Sequence, residues 1–261
     1  MEDKYFKFTP SVVLLPFFSV LLLWIVYWVE LRFNFNFTQY GILPRTLEGL
    51  RGLIFSPLIH GNLEHLFNNS VPLLVLLAAL RYFYRELTWK VLGYGILLSG
   101  LITWIIGRES YHIGASGLIY VLVSFIFFKG ILTKYYRLVA LSLTIIVIYG
   151  GMIWYVFPGI EQNVSWEGHL GGLISGFAFA IFYQTPQFKR VPKYDWEFPN
   201  YDPANDKFMQ RFDDEGNFVN PPPPDPDPEE DADIDIDSQN NSNGMQVTYR
   251  FIDKLPPNAD N

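Results

Sequence analysis

Six stretches of this chain are almost purely apolar, and nothing else constrains its fold as strongly. They fall near residues 11–31, 63–83, 88–107, 116–131, 136–157 and 167–184. A bilayer hydrocarbon core about 30 Å thick needs about 20 apolar residues as helix. The pattern therefore predicts an all-α membrane protein with six spans and both chain ends on one side. The first stretch follows Lys4 and Lys7 but is too long for a signal-peptide core. The Trp28-Val29-Glu30-Leu31-Arg32 run behind it is no small-residue cleavage site, so a retained anchor is expected.

Charge decides the orientation and divides the chain. With the N-terminus inside, the inner segments hold 11 Lys/Arg, among them Arg81, Lys129 and Lys189. The outer segments hold only Arg32, Arg45, Arg51 and Arg108. Inner segments of membrane proteins carry the positive excess, so both termini are expected in the cytoplasm. Residues 1–184 contain 12 Lys/Arg and 9 Asp/Glu, a balance of +3, whereas residues 185–261 contain 7 and 17, a balance of −10. The acidity thus belongs to a tail with Pro221 to Pro224 and a run of Asp, Glu and Pro behind them. A segment so poor in apolar side chains is expected to stay disordered, although residues near 245–252 have some strand character. The expected division is a six-span core over 1–184 and an acidic, Pro-rich cytoplasmic tail over 185–261. With no cysteine, disulfides and thiolate metal sites are excluded.

Polar side chains are expensive in hydrocarbon, so their positions carry information. In this topology the second, fourth and sixth spans all begin at the outer face. His65 and Asn69 open the second, Ser116 the fourth and His169 the sixth. From Ser116 to Lys129 is about 20 Å of helix, which puts Ser116 on the order of 10 Å below the outer surface. The stretch from Gly107 to Ala115 must then descend as non-helical chain.

An isolated membrane serine commonly bonds back to its own helix. Ser116 differs because Gly114 and Gly117 flank it, permit an unusual turn and let backbones approach. The free amides of the helix start then offer donors for an oxyanion. Gly168, Gly172 and Gly176 form a small-residue stripe around His169, which can bring a general base toward Ser116. His65 and Asn69, four apart, share one helix face. They suit either an oxyanion hole or helix–helix hydrogen bonding. His60 precedes that span and braces the loop. His60 and His65 lack the His-Glu-x-x-His spacing of a zinc helix, so no metal is expected. Glu167 lies in the outer loop and is expected to be solvated, which favours a Ser–His dyad over a triad.

These residues resemble the rhomboid family of intramembrane serine proteases, in order, span and spacing, over about residues 10–184. The resemblance implies a rhomboid-like six-helix bundle. It makes Ser116 the nucleophile, His169 its base, and the Ser116 amide, His65 and Asn69 the oxyanion hole. It places the Tyr120 ring on the catalytic histidine and His60 near the site. It also implies a first loop partly in the membrane and gating by the fifth span with the following loop. Many members carry a Trp-Arg pair in the first loop. This chain has Leu50-Arg51-Gly52-Leu53 instead, which leaves the anchoring of that loop open.

The expected function is a serine endopeptidase that cleaves transmembrane protein substrates near the outer side of the membrane, without a cofactor. Its partners are those substrates and the lipid bilayer, with no nucleic acid, and the expected location is a bacterial cytoplasmic membrane. The alternative is a catalytically silent member of the same fold that binds membrane proteins. A transporter fits less well, because the polar residues gather at one end instead of lining a path.

Overall fold

The computed structural model describes residues 6–161, 164–185, 188, 194–213 and 215–219. The helices are α1 (Ser11–Phe33), α2 (Gly52–Phe55), α3 (Leu63–Phe83), α4 (Thr88–Ile106), α5 (Ser116–Thr133), α6 (Tyr136–Tyr149) and α7 (Trp166–Phe182). No strand forms among the described residues beyond two isolated bridges. Five helical runs are long and apolar enough to cross a membrane: Ser11–Phe33, Leu63–Phe83, Thr88–Ile106, Ser116–Thr133 and Tyr136–Val156. The fifth changes from α to 3₁₀ at Gly150. The sixth apolar stretch forms α7, which has 17 residues, or about 26 Å of helix.

Local chemistry sets the helix ends. The Asn62 side chain caps α3 by accepting from the His65 amide at 2.7 Å. Ser165 caps α7 by accepting from the Gly168 amide at 3.1 Å. Asn34 and Lys134 close α1 and α5 in the left-handed conformation, a common helix stop.

Helix α5 is the central element. Of its apolar window 56% is buried, against 17% for α1, whose Phe17, Phe18, Ile25 and Trp28 face outward. Close approach to α5 depends on small residues in its neighbours. A Cβ at Gly172 would run into the Gly117 carbonyl and Tyr120, and one at Gly176 into the Val121 carbonyl and Ser124. On the α6 side, Gly130 lies against Leu138 and Ser142. Hydrogen bonds reinforce both seams. Ser124 Oγ donates to the Leu173 carbonyl at 2.7 Å, and the Ser142 hydroxyl lies 2.9 Å from the Phe127 carbonyl.

Buried Lys129 joins the other end of the seam. Its ammonium donates to the Ala180 carbonyl at 3.1 Å and to the Tyr183 carbonyl, satisfying the unpaired C-terminal end of α7. Lys129→Met is expected to lower stability by about 1–3 kcal/mol, seen as a lower thermal midpoint in detergent.

The first loop folds over α4. Arg45 donates through its amide to the Trp104 carbonyl at 3.1 Å and through Nη1 to the Gly107 carbonyl at 2.7 Å. Trp104 Nε1 donates to the Thr46 carbonyl at 2.8 Å. Arg51 lies over the Tyr40 ring at 4.7 Å and donates to the Gln39 carbonyl at 3.0 Å. These contacts fasten the loop in a chain that has Leu50 before Arg51.

The first compact unit is Met1–Lys193. Within it Phe188 is buried, with its ring 5.4 Å from Phe6 and 5.3 Å from Tyr135. The second unit starts at Tyr194. Its described residues form short turns held by local bonds, such as Tyr201 to Asp206 at 2.6 Å and the Phe212–Phe218 bridge. The Pro221–Pro224 run, the acidic stretch behind it and the segment near 245–252 lie outside the described residues.

Candidate active site

The site is assembled at one end of the bundle, where α3, α5 and α7 all begin. The chain between α4 and α5 is non-helical and pairs with the first loop. The Ile42 amide donates to the His112 carbonyl at 3.0 Å, and the His112 amide to the Ile42 carbonyl at 2.9 Å. It then turns at Gly114, whose φ of 106° is readily adopted only by glycine. The Gly114 amide donates to the Ser56 carbonyl at 2.8 Å. A Cβ at this position would stand 2.6 Å from the His65 ring and 3.5 Å from Asn69 Nδ2. Glycine thus lets the backbone pass directly beneath both side chains, two residues before Ser116.

Ser116 is the first residue of α5. The amides of its turn have no carbonyl behind them in the helix and remain available as donors. The Asn69 side chain is buried, and its Nδ2 has no hydrogen-bond partner among the described residues. His65 is half-buried, and His60 is buried with its ring edge-on to His65, centroids 5.0 Å apart. Burial, then the neighbouring His65, holds the His60 imidazole down to about 4, so the loop ring is neutral near pH 7.

His169 lies in the first turns of α7 and is 4% exposed. Its ring stacks on Tyr120, with centroids 4.3 Å apart and planes 14° from parallel. Nδ1 lies 2.9 Å from the Tyr155 carbonyl oxygen, and the Tyr120 hydroxyl donates to the Met152 carbonyl at 2.6 Å. The 3₁₀ turn Gly150–Val156 therefore braces both rings. A carbonyl only accepts, so Nδ1 carries the hydrogen and Nε2 of the neutral ring keeps its lone pair. Ser116 precedes Tyr120 by one helical turn on the same face. Gly117 faces the Gly168 carbonyl, 3.4 Å from where its Cβ would stand. The serine and the imidazole thus share the α5–α7 seam. Among the described residues no hydrogen bond yet joins the Ser116 hydroxyl to His169 or to any other group.

Glu167 corrects an expectation. It is 1% exposed instead of solvated. Its Oε1 accepts from the Arg108 amide at 3.1 Å, while Oε2 lies 4.0 Å from His112 Nδ1. The sequence gives no functional signal for Arg108 and His112, which meet Glu167 here, or for Ser165, which meets His112. His112 lies 2.6 Å from the Ser165 hydroxyl through Nδ1 and 3.1 Å from the Arg108 carbonyl through Nε2. Burial pushes the His112 imidazole down, opposed by the Arg108 carbonyl and the Glu167 charge. A lone loop histidine gives no periodic signal. Its only hint was its place between Gly107 and Gly114. No cluster of three or more metal-ligating side chains occurs among the described residues.

The family model of the rhomboid domain matches residues 48–185, a stretch that contains both Ser116 and His169. An uncharacterized protein of Mycobacterium tuberculosis strain H37Rv is 36% identical over 164 residues, which are 57% of this chain and 65% of the relative. An uncharacterized protein of Mycobacterium bovis matches with the same figures. One of Mycobacterium leprae is 32% identical over 189 residues, 69% of this chain and 73% of the relative. The chain thus spans just under two thirds of the length of the first two. The domain match covers more than half of this chain, which is a multi-pass membrane protein and belongs to the rhomboid family.

Proposed function

We propose that this chain is an intramembrane serine endopeptidase working through a Ser116–His169 dyad. The observation that carries the proposal is the held imidazole: bonded through Nδ1 to the Tyr155 carbonyl and stacked on Tyr120, which lies one helical turn after Ser116 on α5. In this reading α7 is the sixth span, both termini are cytoplasmic and the site opens to the outer side of a bacterial cytoplasmic membrane. The substrates are transmembrane proteins presented from the bilayer. No cofactor takes part.

Ser116 Oγ attacks the scissile carbonyl carbon, and His169 Nε2 takes its proton. The oxyanion forms beside the Ser116 amide, the Asn69 side chain and His65. Collapse breaks the C–N bond while His169 returns the proton to the leaving amine. A water activated by the same imidazole then hydrolyses the acyl-enzyme. Tyr120 and Tyr155 hold the ring in the task that a carboxylate performs in a triad.

The orphaned Asn69 amide supports the oxyanion assignment, since a buried donor without an acceptor costs stability unless a ligand uses it. Asn69→Ala is expected to lower kcat by about 100-fold with KM within about twofold, measured on a model transmembrane substrate in detergent. The unmade Ser116–His169 bond is the one observation favouring a silent membrane-protein binder. Catalytic hydrogen bonds often close only when substrate is bound, so it does not outweigh the held ring. Mass-spectrometric mapping of a model substrate decides. The protease cuts at a defined peptide bond, and Ser116→Ala does not. Absence of cleavage by folded wild type over several substrates would favour the binder.

A further inference from the structure

We propose that Glu167 and His112 are positioning residues that, with Arg108 and Ser165, clasp the loop leading to Ser116 onto the start of the helix carrying His169. The inference rests on the dyad reading above. The clasp is a closed set of contacts between two segments. On the loop side, the Arg108 amide donates to Glu167 Oε1 at 3.1 Å, and Arg108 Nη2 donates to the Val164 carbonyl at 2.6 Å. The Arg108 carbonyl in turn accepts from His112 Nε2 at 3.1 Å. With Nε2 donating, neutral His112 accepts the Ser165 hydroxyl hydrogen at Nδ1, 2.6 Å away. Ser165 meanwhile accepts from the Gly168 amide as the cap of α7.

Position gives these contacts their effect on chemistry. Glu167 is two residues before His169, and His112 is four before Ser116, across the fixed Gly114 turn. His112 also pairs with Ile42 of the first loop, so three segments meet at one residue. The Arg108 guanidinium lies 3.9 Å from Glu167 and is partly exposed, which makes it a weak partner. The other carboxylate oxygen has no hydrogen bond among the described residues and faces His112. A buried carboxylate left half-satisfied is a poor way to stabilise a fold, and an apolar residue there would cost less. Its contribution is geometric. It holds the serine and imidazole at a spacing where a shift of about 1 Å costs on the order of 100-fold in rate.

The test uses the full chain in detergent, with kcat and KM on a model transmembrane substrate, fluorophosphonate labelling rate and thermal midpoint for each folded variant. Glu167→Ala is expected to lower kcat and labelling together by about 10- to 100-fold, with KM within about twofold. Glu167→Gln keeps an oxygen for the Arg108 amide and is expected to recover to within about fivefold of wild type. A lowered midpoint with unchanged kcat per folded molecule would overturn the inference. If the Glu167 variants do not fold, Ser165→Ala decides, with kcat down about fivefold or more expected and kcat within about twofold of wild type overturning it. Wild type that neither cleaves nor labels would instead overturn the dyad reading beneath it.

Discussion

Ser116→Ala is expected to lower cleavage of a transmembrane substrate by at least about 1000-fold while the protein folds as before. His169→Ala is expected to cost a similar factor, and the double variant about the same as either alone, since a nucleophile and its base act as one unit. KM is expected to change little, because neither group adds binding that the ground state feels. The folded state is insulated from the serine substitution for a structural reason. The Ser116 hydroxyl bonds nothing among the described residues, so removing it leaves no orphan. His169→Ala removes a stacked ring and leaves the Tyr155 carbonyl unpaired, so its thermal midpoint should fall. Steady-state kinetics on the four proteins, normalised to folded fraction, measures the coupling directly.

Gly172→Val is expected to damage the fold severely. A Cβ at residue 172 would overlap the Gly117 carbonyl and stand 2.7 Å from Tyr120 Cβ. Neither neighbour can give way cheaply. One is helix backbone, and the other belongs to the ring that holds His169. Forcing α5 and α7 apart would also stretch the Ser124–Leu173 and Lys129–Ala180 bonds along the same seam. The expected cost is about 3 kcal/mol or more, seen as aggregation or a large drop in thermal midpoint in detergent. Activity should be lost in any fraction that still folds, because the seam aligns the dyad. Gly151 offers the control, since a Cβ there meets nothing within 4 Å.

Much of this molecule is legible in its sequence because membrane spans are written in composition. Five apolar stretches match α1, α3, α4, α5 and α7 to within two residues. The glycine stripe of α7 is equally visible in the sequence, and Gly172 and Gly176 pack against α5. What remained hidden depends on backbone and burial. The Tyr155 carbonyl that holds His169 has no side-chain signature, and neither does the 3₁₀ turn that presents it. Glu167 read as a loop carboxylate because charge is usually solvated; the Arg108 amide and His112, distant in sequence, bury it. The first loop has no periodicity. Its fastening through Arg45, Trp104 and the His112–Ile42 pair comes from contacts between segments. The Phe188 ring likewise finds aromatic partners, Phe6 and Tyr135, that no periodicity announces.

The most direct test of the account is where an active-site-directed fluorophosphonate attaches to the folded protein in detergent. The account predicts one adduct, on Ser116 by tandem mass spectrometry, and its disappearance in His169→Ala. An adduct on a different serine, or labelling of Ser116 that survives removal of the imidazole, would contradict it.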